Sequence, residues 1–360
     1  MMNKFYNKPA AILIYILIAA GLLIFTLVLV RGDFIPQKNG FSRKVIQKAI
    51  HVLGKIENKN KFLSIAGYRG YTIYLATREP NKLIMVDGTL SKQHVLSLDI
   101  PNSPKLNSRF EIEIDSSGIR LFAGNVPALY YFKLDGTLFK TINNLPGVFT
   151  RSISVNQASV ILRIIQKRGN QFDAVFAKYN SFHNKLTYEQ GISAWHGDLG
   201  FSTDGLLCFD KLTSLALYIE LFSNKVTAID TNLTLIYKTH TIDTISVNQA
   251  NYNSMKLGNK TEFTNTSPKR LVNSESCVDE GRLFVKSNLQ ADNETDDVFS
   301  NNAVVDIYSV KNSSYGGSFY IPDDNGKKVL RFRVFRNLLI AIYEHHVITY
   351  QLRLPKANVR

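Results

Sequence analysis

Asp and Asn residues recur near the predicted first hairpin of several sequence repeats. They are Asp115, Asn156, Asp204, Asn248, Asp279 and Asn337. If those hairpins meet at one end of a closed ring, their side-chain oxygens would form a polar ring able to bind a cation or a polar ligand. Tight turns require the same residue types, because Asn and Asp side chains hydrogen-bond to nearby backbone. We favour the turn explanation and keep the six residues as candidate ligand-binding residues.

A second candidate is the segment that contains the single tryptophan, Trp195, followed by His196. An exposed Trp is a frequent anchor in interfaces, so these two residues could form a recognition loop at the rim. An aromatic side chain packed between two repeats is the favoured alternative.

Metal and catalytic signatures are weak. His345 and His346 are adjacent in a predicted strand and would point to opposite faces, which does not suit a shared metal. The acidic run Asp292–Asp297 offers oxygen ligands for Ca²⁺ but lacks the spacing of an EF-hand loop, so a solvated hairpin tip is favoured. Nucleophile-elbow, Walker, HExxH, CxxC and dinucleotide motifs are absent from the sequence. No cofactor is predicted, and Ca²⁺ is the one ion considered, without further support.

The elements that would position these residues repeat along the chain. MVDGTL at Met85–Leu90 recurs as KLDGTL at Lys133–Leu138, an offset of 48 residues, and ISVNQA at Ile153–Ala158 recurs at Ile245–Ala250, an offset of 92. Half of the 92-residue offset is close to the 48-residue offset. Short alternating apolar runs closed by Gly, Asn, Asp or Pro fill each period, which is typical of β-strands joined by hairpins. A period of this length with four strands is the signature of a propeller blade.

The sequence therefore predicts an all-β six-bladed β-propeller, or a seven-bladed one if the long fifth unit contains two blades. The propeller covers residues 61–355 with a polar insertion at 251–270, and residues 356–360 form a tail. The sixth unit shows only three strands. A strand from the spacer at residues 31–60 would close the ring.

The segments YTIYLATREPNKLIMVD, GLLCFDKLTSLALYIELFSNKVTAIDTNLTLIYKTHTIDT and FYIPDDNGKK lie within this layout. With the N-terminal apolar run, they resemble membrane-anchored bacterial six-bladed β-propeller-like proteins of the broad NHL/TolB-like kind. The resemblance implies a shape and carries over no functional residues.

The apolar run Ala10–Val30 contains no charged residue and comes after a short tail at residues 1–9. At about 1.5 Å per residue it is long enough to cross a hydrocarbon core of roughly 30 Å, so we predict an uncleaved single-pass transmembrane helix that acts as a signal anchor. Counting Lys and Arg beside the run favours a cytoplasmic body. An N-terminal anchor with a basic tip commonly exports the domain on its C-terminal side, and we expect a body in the periplasm, held at the bacterial inner membrane.

The net charge of +14 arises from 43 basic and 29 acidic residues. Because the basic residues are dispersed and no nucleic-acid-binding motif is present, no nucleic-acid partner is expected. Cys208 and Cys277 are too few for a disulfide scaffold, and whether they pair is left open.

The favoured function is a non-catalytic binding or scaffolding module at the membrane, with an envelope protein as a candidate partner. One alternative is an anchored propeller hydrolase or lyase with a central metal ion. Another is a basic surface that binds anionic lipid or nucleic acid.

Overall fold

The structure is a computed structural model. It describes residues 7–30, 38–59, 61–100, 106, 110–143, 145–247, 252–257, 260–265 and 270–355, with side chains described only for residues 12–26 of the first range and for none of 252–265. The chain divides into two units, Met1–Asn39 and Gly40–Arg360.

The N-terminal unit contains helix α1 (Asn7–Val30). The large apolar side chains between Ile12 and Phe25 are exposed in the isolated chain; that of Tyr15, for example, is 72% exposed. Within the described residues, no helix reaches the length and hydropathy needed to span a membrane. The transmembrane helix stays a prediction.

The second unit is a six-bladed β-propeller, as predicted from the repeats. Blade 1 contains β2 (Ser64–Arg69), β3 (Thr72–Ala76), β4 (Lys82–Asp87) and β5 (Gln93–Ser97). Blade 2 contains β6 (Glu111–Asp115), β7 (Gly118–Ala123), β8 (Ala128–Phe132) and β9 (Leu138–Ile142). Blade 3 contains β10 (Phe149–Ser154), β11 (Ser159–Arg168), β12 (Gln171–Asn180) and β13 (Lys185–Tyr188).

The second half of the ring has the same plan. Blade 4 contains β14 (Gly205–Asp210), β15 (Leu215–Glu220), β16 (Lys225–Asp230) and β17 (Leu235–His240). Blade 5 contains β20 (Asn273–Asp279), β21 (Arg282–Ser287), helix α2 (Asp296–Ser300), β22 (Asn302–Ser309) and β23 (Tyr315–Pro322). Blade 6 contains β24 (Arg331–Phe335), β25 (Leu338–Ile342), β26 (His346–Leu352) and β1 (Ile50–Glu57).

The segment between blades 4 and 5 contains a separate hairpin, β18 (Tyr252–Leu257) paired with β19 (Lys260–Asn265). It lies within the predicted polar insertion. Blade 5 begins only at Asn273, so the second ISVNQA copy precedes the blade, whereas the first copy ends the inner strand β10. Residues 245–247, the described part of the second copy, therefore do not occupy the position that residues 153–155 have in blade 3.

Strand β1 comes from the N-terminal side of the body and closes the ring. It pairs antiparallel with β26, from Ile50 opposite Leu352 to Glu57 opposite His346. The register shifts at Gly54, where an added Cβ would lie 2.2 Å from the Thr89 carbonyl oxygen of blade 1. Only glycine fits this close approach between the last blade and the first.

The apolar core is divided into layers between neighbouring blades. One buried cluster lies at each of the six junctions; examples of their members, going round the ring from the junction of blades 6 and 1, are Leu75, Leu83, Leu162, Ala216, Leu217 and Phe332. Burying a Leu or Phe side chain in one of these clusters stabilises the fold by roughly 1.5–3 kcal/mol. Each sheet thus depends on both neighbours to cover its two faces.

An Asx turn recurs in blades 1 to 5, between the third and fourth strands. A side-chain oxygen accepts the N–H two residues on at 2.8–3.2 Å; the accepting residues are Asp87, Asp135, Asn180, Asp230 and Asn312. The MVDGTL and KLDGTL repeats are two of these turns. Blade 6 has no such turn, because its fourth strand is β1.

The ring has two faces. The turn face carries the turns between the first and second strands of each blade, and the loop face carries the turns between the second and third strands together with the connections from blade to blade. Backbone hydrogen bonds from Phe149 to Gly124 and from Val272 to Leu221 join these loop-face segments. The described body begins on the loop face, where Gly40 donates its N–H to the Asp292 carboxylate at 3.1 and 3.2 Å.

A buried ionic network holds this first segment against blade 5. Arg43 pairs with Glu294 at 2.6 Å and with Asp306 at 2.8 Å, and the side chains of the three residues are at most 3% exposed. The guanidinium also lies over the Phe41 ring at 5.0 Å. The solvated hairpin tip expected around Glu294 is therefore wrong for that residue, because its side chain is 1% exposed and is paired with Arg43.

We predict that Arg43→Met destabilises the body by about 3–5 kcal/mol, because it leaves two carboxylates buried without their cation. Urea unfolding monitored by circular dichroism measures the change. Lys59→Met removes an ion pair in which both side chains are mostly exposed and should cost under about 0.5 kcal/mol. Equal losses in the two variants would contradict a structural role for Arg43.

Candidate functional site

The six Asp and Asn candidates do not form one ring. Asp115, Asn156, Asp279 and Asn337 lie at or beside the first turns of blades 2, 3, 5 and 6, on the turn face. Asp204 immediately precedes the inner strand β14 and lies on the loop face, whereas Asp210 is at the first turn of blade 4. Asn248 lies outside the described residues.

Three of the four candidates on the turn face accept backbone N–H groups through their side-chain oxygens. Asp115 accepts the Ser117 N–H at 2.7 Å, and Asn156 accepts the Ala158 N–H at 2.9 Å. These two contacts are the turn chemistry expected from the residue types. Asp279 instead accepts the Arg336 N–H at 2.7 Å from the next blade.

Asp279 has the most perturbed carboxyl among these candidates. Burial, together with the smaller effect of the nearby Glu280 and Asp210 charges, raises its pKa to about 6, although the Arg336 N–H opposes the shift. Within the described part of the chain, no three His, Cys, Asp or Glu side chains are grouped so that they could hold a metal ion. The metal-dependent alternative stays a prediction.

Asp204 forms an ion pair on the loop face. Its carboxylate lies 3.0 Å from the Arg151 guanidinium of blade 3, and Arg151 Nε donates to the Gly205 carbonyl at 2.6 Å. The pair joins two inner strands, so its geometry indicates a structural role.

Trp195 and His196 lie in the connection between blades 3 and 4, also on the loop face. The Asp173 carboxylate accepts the backbone N–H of His196 and that of Gly197, the latter at 2.9 Å. Trp195 is half-buried beside the core between blades 2 and 3, and the Arg168 guanidinium lies 5.8 Å from the centre of its ring. His196 is exposed. The structure thus gives this segment both an anchored backbone and a partly accessible aromatic ring.

The two histidines are not neighbours within a strand, because His345 lies in the bend before β26 and His346 is the first residue of that strand. His346 lies in β26, where its Nδ1 contacts Asp324, and Lys55 pairs with the same carboxylate at 2.5 Å. His345 is mostly exposed. His346, Asp324 and Lys55 meet where β1 pairs with β26. Their contacts do not bring the two imidazoles together around one metal ion.

The two cysteines lie in different cores. Cys208 belongs to the core between blades 4 and 5, and Cys277 to the core between blades 5 and 6. Both are buried free thiols, and burial raises the pKa of Cys208 to about 11. They are therefore poor nucleophiles.

A cleft of about 200 Å³ lies between blades 2 and 3 on the turn face. Sequence reasoning did not identify it, because its walls come from two blades. Its lining residues are Ser117, Gly118, Ile119, Arg120, Tyr131, Phe132, Phe139, Lys140, Gln157, Ser181 and Phe182. Gly118 has a φ of +145°, and a Cβ there would lie 2.6 Å from the Phe132 carbonyl oxygen, so the backbone at this wall requires glycine.

Two cations line the cleft. The Arg120 guanidinium is buried and is held by Asp115 at 2.9 Å and by the Ser117 hydroxyl at 2.6 Å. Lys140 Nζ donates to the Ser181 carbonyl at 2.7 Å, across the blade junction. Asp115 compensates the charge of Arg120, whereas Lys140 forms no ion pair with any carboxylate that the structure describes, so we call its charge uncompensated.

The remaining walls are largely aromatic. Phe139 is 57% exposed and Phe182 is 72% exposed, whereas Tyr131 is buried at the base. Burial raises the pKa of Tyr131, which keeps its phenol neutral. The cleft therefore combines one uncompensated cation with accessible aromatic rings.

A second polar region lies along the inner strands around the ring axis. Ser152 Oγ donates to Glu111 at 2.9 Å, and the Ser154 N–H donates to Glu113 at 3.0 Å. Glu111 is exposed and Glu113 is half-buried, but the inner strands crowded around the axis desolvate both carboxyls, and this raises the pKa of each despite the hydrogen bonds. Alternating Glu in EIEID at residues 111–115 was the signal available in the sequence.

Cations face these carboxyls from blade 6. Arg331 pairs with Glu275 at 2.9 Å, and Arg333 lies close enough to Glu113 and Glu275 for their charges to raise its pKa against the effect of burial. The axis is thus lined by opposite charges in partial balance, an arrangement that supports folding as readily as binding.

The fold is that of known propellers. No protein-family model and no curated protein sequence matches the chain. Among solved structures, it is similar to a member of the DUF4221 family from Bacteroides vulgatus, with 10% identity over 86% of this chain and 98% of that chain and a TM-score of 0.52.

Two further similarities are weaker. One is to a catalytically inactive virginiamycin B lyase from Staphylococcus aureus with quinupristin (11% identity, 83% of this chain and 99% of that chain, TM-score 0.48). The other is to the C-terminal WD40 domain of Sif2 (11% identity, 87% and 100%, TM-score 0.46). The similarity to the DUF4221 member, at 10% identity, shows the fold alone.

We predict that Glu113→Gln stabilises the body more at about pH 7 than at about pH 4. The fold raises the pKa of Glu113. The contribution of its protonated carboxyl to the stability of the wild type is therefore fully present below the pKa of the unfolded state, and it is lost as the carboxyl ionises with rising pH. Glutamine cannot ionise and keeps an oxygen for the Ser154 N–H. Urea midpoints of the variant and wild type at both pH values give the comparison.

Glu57→Gln is the control with the opposite sign. Lys59 lowers the pKa of Glu57, so this substitution should lose stability at pH 7 relative to pH 4. If Glu113→Gln also loses stability at pH 7 relative to pH 4, the raised pKa of Glu113 is refuted.

Proposed function

We propose that the protein is a non-catalytic binding module that helix α1 holds at a membrane. The observation that carries the binding part is the cleft between blades 2 and 3, with its uncompensated Lys140 and its exposed phenylalanines. The residues that line it include no His, Cys, Asp or Glu. This lining favours binding over hydrolysis, because the side chains that most often act as general bases or metal ligands are not among its residues.

The cleft fits an anionic group attached to an aromatic body. Lys140 uses one of its three N–H donors on Ser181, which leaves two for a carboxylate. Gln157 adds an amide at the mouth, and the rings of Phe139 and Phe182 offer apolar surface for the ligand body. Small aromatic acids have this chemistry, and so does the C-terminal aromatic residue of a protein partner in the envelope.

We predict that the full chain binds 4-fluorobenzoate and not 4-fluorobenzylamine, which carries the opposite charge on a similar ring. Ligand-observed ¹⁹F NMR measures both. Lys140→Met should weaken binding by about tenfold or more, since a charge-assisted hydrogen bond contributes about 1.5–3 kcal/mol. A Phe-terminated tripeptide, compared as free acid and as amide, separates a protein C-terminus from a small acid.

Lys133→Met is the matched control. Lys133 is an exposed lysine of the same blade outside the cleft lining, so this variant should bind as the wild type does. Equal binding by all three proteins, or preference for the amine, would refute the cleft as an anion site.

The membrane part is supported by the chemistry of α1. Between Ala10 and Val30 the helix carries no charge, and it exposes Leu and Ile side chains around its whole circumference. A helix that is apolar on every side is typical of a buried or membrane environment. We keep the expectation that the body faces the periplasm.

We predict that alkaline carbonate leaves the full chain in the membrane pellet. Leu17→Arg should shift the protein to the soluble fraction, because a centrally placed Arg costs about 2.5–3.5 kcal/mol of insertion free energy. Tyr71→Arg introduces the same charge at an exposed turn of blade 1 and should leave the distribution unchanged. A wild-type chain extracted by carbonate would refute the tether.

A further inference from the structure

The hairpin β11–β12 projects from the loop face of blade 3. Its strands pair along their whole length, from Ser159 opposite Asn180 to Arg168 opposite Gln171. The neighbouring strand β10 reaches only to Ile164, and β13 pairs only from Ala177 onward. The end of the hairpin therefore extends beyond the sheet that supports it.

Cations and aromatic rings are paired at this tip. Lys167 Nζ lies 5.6 Å from the centre of the Phe172 ring, and the Arg168 guanidinium lies 5.8 Å from that of Trp195. Lys167 and Arg168 are exposed, and Phe172 is 41% exposed. No ion pair to a carboxylate is formed by either cation within the described chain.

Two exposed apolar side chains extend the surface. Val148 is 45% exposed, and its carbonyl accepts the Ile165 N–H at the base of the hairpin. Phe201 is 41% exposed and lies two residues after Leu199, whose N–H donates to the Phe172 carbonyl. We call the resulting surface the tip patch: Val148, Lys167, Arg168, Phe172, Trp195 and Phe201.

The carboxylates near the tip patch do not neutralise it. Asp173 is fully buried and accepts the N–H groups of Gly197 and His196. Asp198 is buried and accepts those of Gly200 at 3.0 Å and Ser202 at 2.8 Å. Both carboxylates are engaged by backbone and removed from the surface, so the tip patch carries the unopposed charge of Lys167 and Arg168.

The face and the chemistry of the tip patch bear on what it contacts. It lies on the loop face, as does the first described residue of the body, Gly40, which binds Asp292. Two exposed cations beside accessible aromatic rings match an anionic surface, and the membrane of the proposed tether supplies one.

We infer that the tip patch docks on anionic phospholipid headgroups, so that the body rests on the membrane through blade 3. This inference rests on the tether of the proposed function. Amphipathic rings such as that of Trp lie at headgroup depth, and Lys and Arg beside them are attracted to anionic lipid. The tip patch combines both features on a hairpin that extends beyond its own sheet.

The test uses Trp195, the single Trp of the chain, as an intrinsic probe. The full chain is reconstituted in phosphatidylcholine vesicles with or without phosphatidylglycerol, each with and without acyl-brominated lipid. Trp195 emission should be quenched by brominated lipid in the phosphatidylglycerol vesicles and much less in the neutral ones. The double variant Lys167→Gln/Arg168→Gln should lose this quenching, measured as the ratio of emission with and without bromine in the same protein.

The control Lys185→Gln/Lys211→Gln removes two exposed lysines from turns on the opposite face and should keep the quenching. If the chain floats with the vesicles and resists carbonate but Trp195 stays unquenched, the tip patch is refuted and a protein partner becomes its occupant. Equal quenching in both lipids refutes the role of the cations. If carbonate removes the chain but quenching in phosphatidylglycerol vesicles persists, the membrane tether is refuted and the lipid contact of the tip patch is supported. If the chain does not float with the vesicles at all, both the tether and the lipid contact are refuted.

Discussion

Pairing of β1 with β26 is the contact on which the closed ring depends. Each four-stranded sheet has two apolar faces, and six cores between blades cover them only while every blade has two neighbours. Blade 6 lacks a fourth strand of its own, so β1 completes it with residues that precede the first blade. The buried Arg43 network fixes the segment leading to β1 against blade 5. The start of the body is therefore part of the closure and not a loose spacer.

Turn chemistry explains both the repeats and the limits of the polar ring. The Asp and Asn residues that mark the blades use their oxygens to accept backbone N–H groups, as Asp87, Asp135 and Asp115 show. An oxygen held this way is less available to a ligand. The cleft instead uses side chains that do not define the blades, such as Lys140 and Phe182. In this propeller, residues that specify the fold and residues that offer binding chemistry are largely different sets.

The two faces offer different chemistry. The turn face holds the cleft, with one uncompensated cation among aromatic rings. The loop face holds the first segment of the body and the projecting hairpin with its two stacked cations. If the loop face rests on lipid, the cleft opens away from the membrane, towards soluble ligands or partners. The asymmetry thus relates the three proposals: the tether, the docking hairpin and the ligand-binding cleft.

Much of the architecture was predictable from the sequence, because strand alternation and Asx turns are local properties of adjacent residues. The apolar runs from Phe62 to Ile100 became blade 1, and the two DGTL turns occupy equivalent positions. The ISVNQA repeat misled, because identical residues fall inside a blade in one copy and before a blade in the other. The site depended on distant contacts: Lys140 meets Ser181 across a blade junction, and Arg43 meets Glu294 over 251 residues. The sequence by itself determined the strands, the turns and the order of the blades. Only the closed ring decided which side chains line one cleft, lie on one face or form a buried ion pair. The reason is that distances between such side chains depend on how the sheets pack and not on spacing along the chain.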